Sequence, residues 1–302
     1  MKIAILSQSS HLYSTRRLTE TGIARGHDVQ VIEYLKCHLN INYHQPTILY
    51  QGKTIEKFNV VIPRISPPKT FSGLAIVRQF ETMGTLCINH SGAIARSRDK
   101  LRCLQILASK NIPIPTTGFA CGNEDIEELI SIVDGSPVVI KLLQGSQGIG
   151  VVLAQTDETA TSMIQAFQSL YSRFLVQEFI EEAKGVDIRC FVIDDRVVAS
   201  MKRQAVGDEF RSNLHRGGLG EKIPLTSQEE EIAIRSAQAM ELKIAGVDLL
   251  RSNHGSVVIE VNSSPGLQGI ENATEIDVAE KIIEFLEQKQ QSSEFVARGS
   301  EC

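Results

Sequence analysis

The sequence predicts a chain of α/β and α+β class with more than one domain, opening on a mostly parallel sheet. Three observations lead there. Short apolar runs alternate with amphipathic helices over the first 97 residues; a glycine-rich stretch, QGSQGIG, lies between two apolar strands; and an acid-bearing hairpin lies near the C-terminal end. At 302 residues the chain exceeds the usual size of one compact core.

Taken in order, KIAILS at 2–7 is a buried strand, a helix through Arg16, Leu18, Ile23 and Ala24 runs to Gly26, and a second strand spans 29–35. The pattern repeats with VVIPRI at 60–65, a helix over 72–83, a strand over 85–89 and a helix from Ser91. The first turn, SQSSHLYS, has no GxGxxG, so a dinucleotide cofactor loses its best support and the domain reads as scaffold or as a substrate-positioning unit. Within it, His11, Arg64 and Arg78 are candidates to face an acidic ligand.

A helix over 99–110 is stopped by the prolines of NIPIP, and a strand, TTGFA, follows. Asn123 is expected to cap an acidic helix bearing Asp125, Glu127 and Glu128. Then come VVIKLL, GVVLAQ, a helix over 157–170, an apolar stretch ending in Glu178-Phe179-Ile180, and a hairpin of 187–193 with 196–200. A helix over 227–242, the acid-bearing hairpin and a helix over 275–288 follow, and residues 291–302 show no sustained period and are expected to fray. The expected division is an N-terminal domain at 1–97, a central subdomain at 98–176, a C-terminal subdomain at 177–290 and a tail.

Composition narrows the function. A net charge of −5 gives no whole-molecule attraction to nucleic acid or anionic membrane. The start lacks a signal-peptide core and no run approaches a membrane span, so the chain reads as cytoplasmic. Six scattered cysteines without a CxxC pair argue against zinc and against a disulfide framework.

In GVDLLRSNHGSVVIEVNSSPG, Asp248 lies on one strand, and Glu260 and Asn262, two apart, leave one face of the next. Converging carboxylate and amide oxygens without imidazole or thiolate suit a hard cation such as Mg²⁺, which shares its shell with phosphates. Acids at strand ends are also often merely solvated, and upstream features tip the balance. Gly145, Gly148 and Gly150 let backbone amides approach an anion, with Ser146 in the same loop, and Lys141 adds a charge. The strand end at Glu178-Phe179-Ile180 can present backbone donors and acceptors to an adenine edge, and Asp187 can hold a ribose hydroxyl. The segment 202–216, with Lys202, Arg203, Arg211, Arg216 and His215, reads as an irregular cationic loop suited to phosphate and carboxylate; a nucleic-acid arm is the weaker account, having only Phe210 to stack.

Lys141, GSQGIG, Glu178-Phe179-Ile180, Asp187, Arg211-Ser212-Asn213, Asp248, Glu260 and Asn262 occur in the order and spacing of the ATP-grasp ligases over residues 98–288, and the N-terminal part resembles the pre-ATP-grasp domain that precedes them. KLLQGSQGIGVVLA, FRSNLHRGG, AGVDLLR and EVNSSPGLQGIE are most similar to the RimK-like branch, which adds L-glutamate to the C-terminus of ribosomal small-subunit protein six. The resemblance implies that Lys141 holds the α- and β-phosphates of ATP, Glu178 and Phe179 adenine, and Asp187 the sugar side. It further implies that Arg211, Ser212 and Asn213 reach the polyphosphate and that Asp248, Glu260 and Asn262 bind one or two Mg²⁺ or Mn²⁺ ions. Arg203 would stabilise an acyl phosphate and the tetrahedral intermediate. SSPG after Asn262 departs from the small residue usual in relatives, at similar volume. Such ligases are commonly homo-oligomers. The alternatives are a ligase joining glutamate to a small cofactor or peptide, and an ATP-sensing module without turnover, which would not need both the metal triad and Arg203.

Overall fold

The computed structural model describes residues 1–122, 125–145, 149–207, 210–212 and 218–299, with backbone alone for 291–299. Asn123, Ser146, Gly148, Asn213, His215 and Arg216 lie outside the described residues.

The N-terminal part begins with β1 (Lys2–Ser7), α1 (Tyr13–Ala24) and β2 (Asp28–Glu33), as expected. β3 (Cys37–Asn40), β4 (Thr47–Tyr50) and β5 (Lys53–Thr54) then form a separate antiparallel sheet that the sequence does not announce, because CHLN and TILY are too short to show a period. β6 (Val60–Pro63), α2 (Thr70–Thr82), β7 (Leu86–Cys87) and α3 (Ser91–Arg98) complete this part. Its main sheet has the order β2-β1-β6-β7 with every pair parallel.

After α4 (Lys100–Ser109) a central lobe contains β8 (Thr117–Gly118), α5 (Ile126–Ser131), β9 (Val138–Leu142), β10 (Val151–Ala154), α6 (Asp157–Ser169) and β11 (Phe174–Glu178). Its four strands run antiparallel in the order β10-β9-β11-β8, and its core, from Leu129 and Ile130 to Phe174 and Val176, draws on this lobe alone. Asp125 caps α5: its carboxylate accepts from the N–H groups of Glu127 and Glu128, the usual N-cap geometry.

The C-terminal part holds β12 (Val186–Ile193), β13 (Arg196–Gln204), β14 (Leu219–Lys222), α7 (Ser227–Ala239), β15 (Ile244–Ser252), β16 (Gly255–Asn262), α8 (Gln268–Thr274) and α9 (Val278–Gly299). The strands form one antiparallel sheet in the order β14-β13-β12-β15-β16. Two expectations change here. Lys202 and Arg203 lie in β13 rather than in a loop, since pairing with both β12 and β14 carries the strand to Gln204. The closing helix expected over 275–288 is α9, which starts at Val278 and continues to Gly299 because no breaker interrupts it sooner, and a further helix, α8, ends at the left-handed Glu275 before it.

One face of the five-stranded sheet packs Ile188, Cys190, Val247, Leu249, Val258 and Val261 against Ile232, Ala233 and Ala237 of α7. The opposite face at its far end, Phe191, Ile193, Ala199 and Met201, shares a core with Ile3, Ile5 and Leu18 of the N-terminal part and with α8 and α9. Asn89, buried behind β7, donates to the carbonyls of Ile244 and Ser263 at 2.7 and 3.0 Å and accepts from the N–H groups of Lys243 and Ile244 at 2.7 and 3.0 Å. All the hydrogen-bonding capacity of that amide is thereby spent between the N-terminal part and the ends of β15 and β16. Among the described residues no helix is long and apolar enough to cross a membrane.

Candidate active site

Three parts of the chain wall a cleft of about 1320 Å³: the ends of β1 and β6, the inner face of the central lobe, and one face of the five-stranded sheet. Strand register explains how distant residues meet on that face. Asp187 pairs with Arg203, Arg189 with Asp248, Asp248 with Glu260, and Gly246 with Asn262. Side chains directly opposite one another on neighbouring antiparallel strands project to the same side, so register alone gathers these groups over the cleft.

The charges are interlocked. Arg203 grips Asp187 through two bonds of 2.6 Å and reaches Asp248 at 2.9 Å, while Arg189 grips Asp248 through bonds of 2.7 and 2.6 Å. Burial alone would raise the Asp248 carboxyl, yet Arg189 and Arg203 outweigh it and hold it below the usual carboxylate range. Burial pushes the Asp187 carboxyl up against the pull of Arg203, with the Ser212 hydroxyl as a further partner. Desolvation works against the Arg203 charge, but Asp248 and Asp187 raise its pKa and keep it a cation. Asp187 is thus packed inside an ion pair rather than standing at the surface near Gly185.

Glu260 is exposed and forms no ion pair among the described residues. With its amide turned to satisfy both neighbours, Asn262 donates to Glu260 Oε1 at 3.1 Å and accepts from Arg189 Nη2 at 3.2 Å. Asp248, Glu260 and Asn262 are therefore brought together, as predicted, although Asp248 is already held by arginine. Among the described residues no group of three or more His, Cys, Asp or Glu gathers to hold a metal. The set here is two carboxylates and an amide lining the cleft, a donor chemistry that fits a hard cation sharing its shell with phosphate, although the Asp248 oxygens and the Asn262 amide oxygen are turned to arginine in this structure.

Across the cleft, Lys141 on β9 bonds Gln177 Oε1 at 2.5 Å, and Gln177 in turn donates to Thr117 at 2.8 Å. Burial pulls the Lys141 ammonium down to about 8, with Lys100 adding to the effect and Glu260 opposing it. β9 and β10 are antiparallel neighbours, so the glycine-rich stretch joins strand to strand. Gly150 has a φ of 74°, and a Cβ on Gly145 would stand 2.6 Å from the Ile149 carbonyl oxygen, so both positions require glycine. Glu178, Phe179, Arg211 and Ser212 all line the cleft; Phe179 meets Phe210 edge-on with centroids 6.4 Å apart, and Arg211 donates to the Val151 carbonyl at 3.0 Å.

Several cleft residues are absent from the predicted set. Lys100 donates to the carbonyls of Leu142, Leu143 and Gly145, tying α4 to the start of the glycine-rich loop. Arg189 was legible in principle, since it stands two residues beyond Asp187 on one strand and so shares its face. Arg64 lines the cleft, whereas His11 and Arg78 are exposed and lie outside its lining.

A glycine-bearing antiparallel lobe facing a carboxylate-bearing antiparallel sheet across a nucleotide-sized cleft is the architecture of an ATP-dependent carboxylate ligase of the ATP-grasp class. The match to families is equally direct: residues 97–286 correspond to the RimK-like ATP-grasp domain and residues 1–94 to the RimK pre-ATP-grasp domain. The chain belongs to the RimK-like family of ATP-grasp ligases. It is 61% identical over 287 residues, 95% of each chain, to a probable alpha-L-glutamate ligase of Picosynechococcus sp.. It is 58% identical over 291 residues, 96% of each chain, to a probable alpha-L-glutamate ligase of Hahella chejuensis. Among solved structures it resembles the ATP-grasp ligase PsnB complexed with a minimal precursor (TM-score 0.75, 18% identity, 96% of this chain and 98% of that one). It also resembles a RimK domain protein from Sphaerobacter thermophilus (TM-score 0.71, 21% identity, 94% and 99%).

Proposed function

We propose that this chain adds L-glutamate to the C-terminal carboxylate of an acceptor protein, at the expense of ATP, with ribosomal small-subunit protein six as the acceptor that the RimK-like motifs favour. The observation that carries the reading is the single sheet face holding Arg203, Arg189, Asp248, Glu260 and Asn262 in register, set across the cleft from Lys141. Cations on both walls suit a polyphosphate between them, and the acids suit the counter-ion it brings.

In this reading the apolar wall at Phe179 and Ile180 receives adenine, and Lys141 and Arg211 face the phosphates. Asp248, Glu260 and Asn262 hold Mg²⁺ or Mn²⁺, which supplies charge neutralisation to the triphosphate when bound. Asp187 serves chiefly to orient Arg203 and keep it charged, a change from the sugar-binding role its position in the sequence suggests. The acceptor carboxylate attacks the γ-phosphorus, forming an acyl phosphate and releasing ADP. The glutamate amine then attacks the acyl carbon, the C–O bond to phosphate breaks, and the amine loses a proton as the amide forms. Arg203, locked by Asp187 and Asp248, presents a fixed positive charge to the oxygens that gain negative charge in both steps.

The test incubates the protein with ATP, Mg²⁺, L-glutamate and a peptide reproducing the acceptor's C-terminus. ADP release that requires both glutamate and peptide, with mass steps of one glutamate residue on the peptide, supports the reading. ADP release indifferent to glutamate overturns it.

A further inference from the structure

We propose that Arg64 and Arg98 form the subsite for a carboxylate of the incoming free amino acid, where the N-terminal sheet opens into the cleft. This rests on the ligase reading above and adds two residues to which that reading gives no role.

Topology points to the place. In the order β2-β1-β6-β7 the chain leaves β1 toward one edge of the sheet and β6 toward the other, so the switch falls between β1 and β6. In open parallel sheets, ligands bind beyond the carboxyl ends of the strands at such a switch. Arg64 follows directly after β6, and the loops beyond β1 and β6 contribute Gln8, Leu12, Ser66 and Pro67 to the wall of the cleft.

Charge points to the ligand. Arg64 Nη2 donates to the Pro265 carbonyl at 2.6 Å; Arg98 Nη2 donates to the Ile65 carbonyl at 2.6 Å and its Nε to Ser263 Oγ at 3.3 Å. Among the described residues neither guanidinium has a carboxylate within ion-pair distance, whereas Arg189 and Arg203 in the same cleft are paired with aspartates; Glu260 acts on Arg98 only at longer range. Burial, with the neighbouring Arg98 charge, draws Arg64 down to about 10, which leaves it a cation at neutral pH. Two half-buried, unneutralised guanidiniums carry a desolvation cost that a bound anion offsets, and most of their donors remain available in the planar geometry that matches a carboxylate.

Position separates this anion from the triphosphate. Both arginines bond the turn Ser263–Pro265 immediately after Asn262, whereas Lys141 is carried by β9 of the central lobe. Of the two organic substrates, the amino acid is the one whose carboxylates do not react while its amine attacks. Those groups need fixed cations that keep the amine aimed at the acyl carbon.

The test measures initial rates of ADP release by Arg64→Gln, Arg64→Lys and Arg98→Lys, with circular dichroism and thermal unfolding confirming the fold of each. L-glutamate, ATP and the acceptor peptide are varied separately. For Arg64→Gln the KM for glutamate is expected to rise about 10- to 100-fold, with a smaller fall in kcat and an unchanged KM for ATP. Arg64→Lys, which keeps charge but loses the planar fork, should fall between this variant and the parent. L-glutamine provides the discriminating arm: a reduced preference for glutamate over glutamine places the side-chain carboxylate on Arg64, and an equal rise for both places the α-carboxylate there. An unchanged glutamate KM overturns the inference. So does a rise confined to the acceptor peptide, or an equal rise for ATP, the signature of arginines that merely pin the Ser263–Pro265 turn. If the parent enzyme shows no glutamate-dependent ADP release, the ligase reading fails instead.

Discussion

Alternate residues of one sheet face opposite surroundings. On the cleft side Asp187, Arg189, Arg203, Asp248, Glu260 and Asn262 form a polar lattice; one residue away along the same strands, Ile188, Cys190, Val247, Leu249, Val258 and Val261 pack against α7. The two faces share a backbone and differ in what a lost atom costs. On the apolar side the cost is a cavity. On the polar side it is a buried charge without its counter-ion, which costs the fold as well as the chemistry, except at exposed Glu260, which has no ion pair among the described residues.

The sharpest way to break that contrast is Glu260→Gln. Glu260 is exposed and makes no ion pair among the described residues, so stability in urea should stay within about 0.5 kcal/mol of the parent. ADP formation should fall by about 10²–10³-fold, the scale of losing one fixed charge at a reacting centre. A folded variant with unchanged turnover would remove Glu260 from the site. Leu249→Ala is the mirror experiment: denaturant unfolding should show a loss of roughly 2–5 kcal/mol, while turnover per folded molecule stays level.

Between these lies Glu229, at the start of α7, whose carboxylate accepts from Arg251 Nε at 2.7 Å, from Ser256 Oγ at 2.9 Å and from the Thr226 N–H at 2.9 Å. Burial would raise its pKa, but these bonds prevail and lower it to about 2. A depressed carboxyl contributes stability that is complete above its unfolded value and lost as pH falls. Glu229→Gln should therefore cost about 1.5–3 kcal/mol at pH 7 and progressively less between pH 5 and 2, with activity per folded molecule unchanged. The smallest effect tests the facing lobe. Lys141 is charged below about 8 and neutral above it. The KM for ATP should be flat near pH 7 and about tenfold higher at pH 9, a rise that Lys141→Arg abolishes.

Much of this was legible in the sequence because period and punctuation agree with the tertiary result. KIAILS and VVIPRI are continuous apolar runs and become buried parallel strands. Glu260 and Asn262 stand two apart and do share a face. What escaped depends on partners far away in the chain. CHLN becomes a strand only by lying against TILY, and β13 runs through Lys202 and Arg203 only because β12 and β14 pair with it on both sides. The confinement of Asp187 within an ion pair, and the lack of an ion pair at Arg64 and Arg98 among the described residues, are facts of three-dimensional neighbourhood that no spacing encodes.

The fourfold bonding of Asn89 has a mechanical meaning. Together with the core that joins Ile3, Ile5 and Leu18 to Phe191, Ile193 and α9, it welds the N-terminal sheet and the acid-bearing sheet into one stiff body. The glycine-bearing lobe keeps a core of its own and is tied across the cleft by polar threads such as those of Lys100 and Arg211. The lobe is therefore the less firmly anchored wall of the cleft, and Arg64, Arg98 and Glu260 belong to the wall that shares its core with the N-terminal sheet.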